Sequence, residues 1–139
     1  MKSDSCIFCK IANGVIPSTT VYEDEDFRAI LDLAPAAEGH TLILPKEHFD
    51  DVTELPEELA AKVLPVAAKI GMAMKAGLGC AGFNLVQNNG TAAGQTVMHF
   101  HLHVIPRYEG GPEIANWTPG ETTPETMKET AEKIRAALK

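Results

Sequence analysis

No apolar run in this 139-residue chain approaches the roughly 18 to 20 residues that span a bilayer, so no membrane segment is expected. Met1-Lys2-Ser3-Asp4-Ser5 has no apolar signal core, which makes the cytoplasm the expected compartment. Positive charge is scarce. Twelve Lys and Arg stand against 19 Asp and Glu, for a net charge of −7. An acidic surface repels a polyanion, so a nucleic-acid partner is not expected. One phosphate can still be held locally by backbone N–H groups. Cysteine is also scarce, with three residues, which argues against a disulfide framework in a cytosolic chain. Cys80 stands alone and reads as a small buried hydrophobe. Internal repeats, low-complexity tracts and domain linkers are missing. The length suits a single domain over residues 1–139 with one core.

Histidine is rare too: there are five, and none falls in the two long helical segments. Three of them share the stretch His99-Phe100-His101-Leu102-His103-Val104-Ile105. Strand side chains alternate between faces. A strand here puts three imidazoles on one face and Phe100, Leu102 and Val104 on the other. An outward strand face is usually filled by Thr, Lys, Glu or Arg, so three histidines point to chemistry. Imidazole supplies a nucleophile, an acid–base group near neutral pH, or a metal ligand.

Around this stretch the pattern predicts an α+β fold with a mainly antiparallel sheet. Cys6 to Ala12 reads as a short helix stopped by Asn13-Gly14. Thr19 to Glu23 and Phe27 to Leu31 read as a hairpin, and Thr41 to Leu44 as a buried strand closed by Pro45. A long helix follows Pro56, with Leu59, Val63, Val66 and Ile70 at helical spacing and Gly77 and Gly79 at its end. Pro65 inside it is expected to kink or split it. Phe83 to Gln87 is a fourth strand, Asn88 to Gln95 a polar loop, and Val97 to Ile105 the histidine strand, stopped by Pro106. Gly110 to Gly120, with Trp117, is irregular. Thr123-Pro124-Glu125 caps a last helix whose buried stripe is expected at Met127, Ala131, Ile134 and Leu138.

Three uses of the histidine face compete: a catalytic metal held by all three, a nucleophilic imidazole served by the outer two, or a binding pocket without turnover. Same-face strand positions lie about 6.5–7 Å apart, so three imidazoles on a straight strand converge poorly on one ion. The entry loop favours the nucleophile. Gly94 lets a ligand approach the backbone, consecutive N–H groups can cradle a phosphate, and Gln95 and Thr96 add an amide and a hydroxyl. A phosphate beside His101 would meet a neutral imidazole able to form a phosphoramidate intermediate. Separately, Cys6-x-x-Cys9 has the spacing of half a zinc site.

The run Gly94-Gln95-Thr96-Val97-Met98-His99-Phe100-His101-Leu102-His103-Val104-Ile105 resembles the signature of the histidine triad (HIT) family of nucleotide hydrolases and transferases. Cys6-Ile7-Phe8-Cys9-Lys10-Ile11, Ile16-Pro17, Ala29-Ile30-Leu31-Asp32, Gly39-His40-Thr41-Leu42-Ile43-Leu44-Pro45-Lys46 and Asn88-Asn89-Gly90 resemble it in order and spacing. The resemblance covers about residues 4–107; the C-terminal extension, residues 108–139, matches less closely. Histidine rather than glutamine at the third triad position resembles the Hint-type branch more than the Fhit branch.

The resemblance implies a HIT-like fold and a catalytic set of His101, His103 and His40. His101 would be the nucleophile, His103 would contact phosphate or leaving group, and His40 would support the cluster from a neighbouring strand. Gly94, Gln95, Thr96 and Val97 would hold the α-phosphate, and Asn88 would reach the phosphate or leaving group. Asp32 would accept from the ribose hydroxyls. Phe8, Ile30 and Leu31 would wall the base pocket. The implied activity is hydrolysis of purine nucleoside phosphoramidates or related AMP or GMP conjugates through a nucleotidyl-histidine. The alternatives are a nucleotide-binding regulator without turnover and a metal-water hydrolase using the three histidines. Zinc-bearing members of the family imply a structural zinc on Cys6, Cys9, His48 and His99. They also imply no catalytic cofactor, and a homodimer whose sheet runs across a two-fold axis.

Overall fold

The computed structural model describes residues 2–112 and 118–138; Trp117 lies outside the described residues. The order is α1 (Ile7–Ala12), β1 (Thr20–Glu23), β2 (Phe27–Leu31), β3 (Thr41–Pro45), α2 (Glu57–Leu78), β4 (Gly82–Val86), a 3₁₀ turn (Thr91–Ala93), β5 (Leu102–Arg107) and α3 (Pro124–Ala137). The five strands form one antiparallel sheet in the order β1-β2-β3-β5-β4. The fold is α+β, as the pattern predicts.

Alternation divides the sheet into two faces. Phe27, Ala29, Ile43, Leu102 and Val104 pack with Val63, Val66, Ile70 and Met74 of α2 in the main core. Ile30, Leu42 and Leu44 face the other way and pack with Ala12, Phe8 and Ile11 of α1. The register aligns Ile30, Leu42 and His103 in one row across β2, β3 and β5. The histidine face is therefore the α1 face, and α2 supports it from behind.

Two prolines lie inside elements that they do not end. Pro65 lies inside an unbroken 22-residue α2. Its position and Ala61, whose carbonyl it leaves without a donor, are both exposed, so water can satisfy that carbonyl. Pro106 does not stop the last strand; it lies within β5. Arg107 accepts from Ala81 N–H on the β4 side (2.8 Å), so Pro106 turns its nitrogen the other way, where β3 pairing has already ended at Thr41–Val104. In the last helix, Thr123 caps as expected, its side chain accepting from Thr126 N–H. The predicted buried stripe is not buried: Met127, Ile134 and Leu138 are exposed, and α3 has no buried residue. Periodicity reveals an apolar face but not whether another element reaches it.

Candidate active site

The histidine stretch is extended, but the ladder covers only its second half. β5 begins at Leu102, so His99 and His101 precede it and only His103 lies in the strand. The reason is local. Pro45 ends β3, and its carbonyl accepts from His99 Nε2–H at 2.9 Å. Phe100 N–H donates instead to Phe49 O at 2.6 Å. Alternation survives without the ladder: Phe100 is buried in the main core, while His99 and His101 are buried on the opposite side.

Hydrogen bonds determine which nitrogen of each imidazole is available. His101 Nδ1 lies 2.7 Å from His99 O. A carbonyl only accepts, so Nδ1 carries a proton and, in the neutral ring, Nε2 keeps the lone pair. Among the described residues, the one fully buried side-chain N or O without a partner is Arg28 Nε. His101 Nε2, which has no partner among the described residues, is thus not fully buried although the residue is only 6% exposed. A second chain of bonds reads the same way. Ala36 N–H donates to His40 Nδ1 at 2.9 Å, which leaves the proton on His40 Nε2. His40 Nε2–H then donates to His103 Nδ1 at 2.9 Å, which leaves His103 presenting Nε2–H. Both rings are neutral at pH 7: burial is the main cause that lowers His40, and burial together with the neighbouring His101 and His40 holds His103 down at about 4. The His101 and His103 rings lie 5.0 Å apart. One lone pair thus stands beside one N–H donor.

Asp32 Oδ2 lies 3.6 Å from His40 Nε2, and its Oδ1 accepts from Ala34 N–H at 2.9 Å. Asp32, His40 and His103 are close enough to suggest a cation site. The proton on His40 Nε2 argues against one, since a metal ligand needs that lone pair.

The loop before the triad is braced by Gln95. This buried side chain accepts from Gly90 N–H (2.8 Å) and donates to the carbonyls of Asp50 (2.6 Å) and Val97 (3.0 Å). Its amide is engaged in holding the loop, so a direct side-chain contact with phosphate would break these bonds. Gly94, at φ +93°, gives the left-handed turn that L side chains rarely adopt. Beyond it, the backbone N–H groups of Thr96 and Val97 have no acceptor among the described residues, and neither does the Asn88 side-chain amide. These are free donors of the kind a phosphate takes.

The expected base-pocket residues separate. Phe8 meets the His101 ring edge-on at 5.0 Å, and Ile30 shares its side of the sheet. Leu31 pairs with Thr41 and so lies on the opposite, α2 face, away from His103. Leu42, between Ile30 and His103 in the row, takes the place expected of Leu31, with Ile11 beside Phe8. Strand register carries that information, and a period-2 count on one strand does not.

Next to the triad, Cys6, Cys9, His48 and His99 bring four ligand atoms within 4.8 Å of one another. Cys6 Sγ and Cys9 Sγ each lie 3.4 Å from His99 Nδ1, and Cys9 Sγ lies 3.3 Å from His48 Nδ1. Legs of about 2.3 Å to sulfur and about 2.0–2.1 Å to nitrogen place neighbouring tetrahedral donors about 3.5 Å apart, so the cluster has the size of a zinc-type site. Both imidazoles are oriented from behind, His99 by Pro45 O and His48 by Asp50 Oδ1 at 2.8 Å. Burial pushes His99 down to about 4, which keeps it in the neutral form that binds metal. The donor set fits a divalent ion with a taste for nitrogen and sulfur.

A model of the HIT domain family matches residues 13–110. The chain belongs to the HIT domain family. Among its relatives is an uncharacterised HIT-like protein of Methanocaldococcus jannaschii, 43% identical over 94% of this chain and 98% of that protein. Another is adenosine 5′-monophosphoramidase of Schizosaccharomyces pombe, 39% identical over 97% of this chain and 99% of that one. Among solved structures, a zinc-bound histidine triad family protein from Mycobacterium smegmatis is 38% identical, with a TM-score of 0.75, 96% of this chain covered and 98% of that one. At family level, then, this HIT chain is related to nucleotide hydrolases. No helix among its described residues is long and apolar enough to cross a membrane.

Proposed function

We propose that this HIT protein hydrolyses purine nucleoside 5′-phosphoramidates at the α-phosphate, with His101 as nucleophile. One observation carries the reading: His99 O fixes a proton on His101 Nδ1 and, in the neutral ring, leaves the lone pair on an Nε2 that is not fully buried. The S. pombe relative, named for adenosine 5′-monophosphoramidase activity, supports the substrate class. In the first step Nε2 attacks phosphorus, the bond from phosphorus to the amine breaks, and the amine leaves with a proton from solvent. In the second step water attacks the same phosphorus, the bond to Nε2 breaks, and the water proton goes to solvent. The sum is phosphoramidate plus water giving nucleoside monophosphate plus amine.

Neutral donors would carry the phosphate charge: His103 Nε2–H, the Thr96 and Val97 N–H groups, the Thr96 hydroxyl and the Asn88 amide. Asp32 would take the ribose, and Phe8, Ile30 and Leu42 the base. His40 would act as a positioning residue by directing a proton at His103 Nδ1. Cys6, Cys9, His48 and His99 would hold zinc, whose part is to tie the N-terminal segment to the triad. The cytoplasm, expected from the sequence, and a homodimer, expected from the resemblance, would be its setting.

The test is AMP release from adenosine 5′-phosphoramidate by wild type and His101→Ala. Turnover in wild type and its loss in the variant, by a factor of about 10⁴ or more, is expected for a covalent nucleophile. Equal rates in both would overturn the assignment. Retained AMP binding without turnover in either would leave a nucleotide-binding protein.

A further inference from the structure

The metal cluster reaches the nucleophile by two routes. The first runs through His99. Its Nδ1 faces both cysteine sulfurs, and its own backbone carbonyl holds His101 Nδ1–H at 2.7 Å. His99 lies outside β5, so its backbone is not held by the ladder. Its side-chain bonds are the one to Pro45 O and the contacts with sulfur. Thiols are weak hydrogen-bond partners, so without a cation these contacts hold the ring loosely. The second route runs through Phe8, which lies between Cys6 and Cys9 and meets the rings of His99 at 6.1 Å and His101 at 5.0 Å. Its helix, α1, has six residues, too few to be stable by propensity alone, and its N-cap is Cys6 itself.

We propose that a metal ion on Cys6, Cys9, His48 and His99 positions the nucleophile, through the His99 carbonyl and the Phe8 ring, and so sets turnover as well as stability. The inference rests on the reading of His101 as nucleophile. It predicts an effect from His48, which has no contact with His101: its Nδ1 faces Cys9 and its Nε2 faces Asp50.

The experiment follows the His101 ring Nδ1–H by proton–nitrogen NMR, assigned by its loss in His101→Gln. The forms compared are zinc-loaded wild type, chelated wild type, His48→Ala, and His48→Cys reloaded with zinc as a Cys₃His site. The expected result is a sharp, exchange-protected signal in zinc-loaded wild type and in His48→Cys, and its broadening or loss in the other two. In the same series kcat falls by about tenfold or more when the metal is lost, because a small misplacement of a reacting group is costly. KM rises as well where Phe8 moves, because the same ring walls the proposed base pocket, so the His101 Nδ1–H signal is the readout that reports on the nucleophile itself. An unchanged signal and unchanged kcat in metal-free protein that still melts cooperatively would overturn the proposal, as would failure to bind one zinc per chain. If chelation unfolds the chain, cadmium replaces zinc. This larger ion should shift the His101 Nδ1–H resonance, and an unmoved resonance would count against the coupling. Absence of turnover in every form would sink the phosphoramidase reading and leave the NMR comparison to judge the coupling by itself.

Discussion

A buried imidazole that must stay neutral makes stability depend on pH, and His103 is such a group. Its pKa lies at about 4 in the native chain against 6.5 for a free histidine. Between these values the unfolded chain binds the proton and the native one does not. The contribution of His103 to stability is therefore complete above about pH 6.5 and is lost as pH falls towards 4. The check is urea denaturation at pH 7.5 and pH 5: wild type should lose more stability between them than His103→Gln does. The same loss in both would remove the argument. Gln95 makes a different prediction. Gln95→Leu strands a buried N–H and two carbonyls that now share one amide. The expected cost is about 1–3 kcal/mol, measured by denaturation. A cost near zero would mean that water replaces the amide and that Gln95 does not brace the loop.

At the scale of elements, α2 is held to the sheet by a face that includes a glycine. A Cβ on Gly71 would sit 2.2 Å from the Phe83 ring of β4. Gly71→Ala gains about 1 kcal/mol of helix propensity, yet overpacking typically costs about 1–3 kcal/mol. Net destabilisation is expected, and a raised urea midpoint would refute it. Ile70 and Ile134 make a matched pair. Ile70 is buried in the core, and Ile134 is 59% exposed on α3. Ile70→Ala should cost about 2–5 kcal/mol and Ile134→Ala about 0.5 kcal/mol or less. A cost of several kcal/mol at Ile134 would mean that another surface covers the α3 stripe.

For the whole molecule, β1 and β4 are the sheet edges. β1 carries an irregular register between Thr20 and Tyr22, whereas β4 pairs evenly with β5 along its length. An even edge is the kind that adds another strand, and an irregular one resists it. The homodimer expected from the resemblance would therefore use β4, and sedimentation equilibrium should give twice the chain mass. A monomer at micromolar concentration would contradict it. Zinc removal should lower the melting temperature, since an ion bound only by the native chain stabilises by about 2.7 kcal/mol at a hundredfold excess over its Kd. An unchanged melting temperature would mean that the cluster does not bind zinc under those conditions.

The elements of this chain were readable one at a time because alternation, helical spacing and turn residues are local properties. Thr41 to Pro45 and the α2 stripe are examples. The motif residues were readable for the same reason: His99, His101 and His103 are close in sequence, and so are Cys6 and Cys9. Their resemblance to the HIT signature led to the family. What depended on distant segments was not readable. Leu42 rather than Leu31 stands beside His103 because register across three strands puts it there. The tautomer of His103 depends on the backbone N–H of Ala36, 67 positions away in sequence. Gln95 turns inward because the carbonyl of Asp50 is there to meet it, and the apolar face of α3 is exposed because no other described element reaches it. Sequence by itself determined which groups this protein has for chemistry and which faces are apolar. Only the tertiary structure decided which lone pair is free, because proton placement depends on partners that folding brings together.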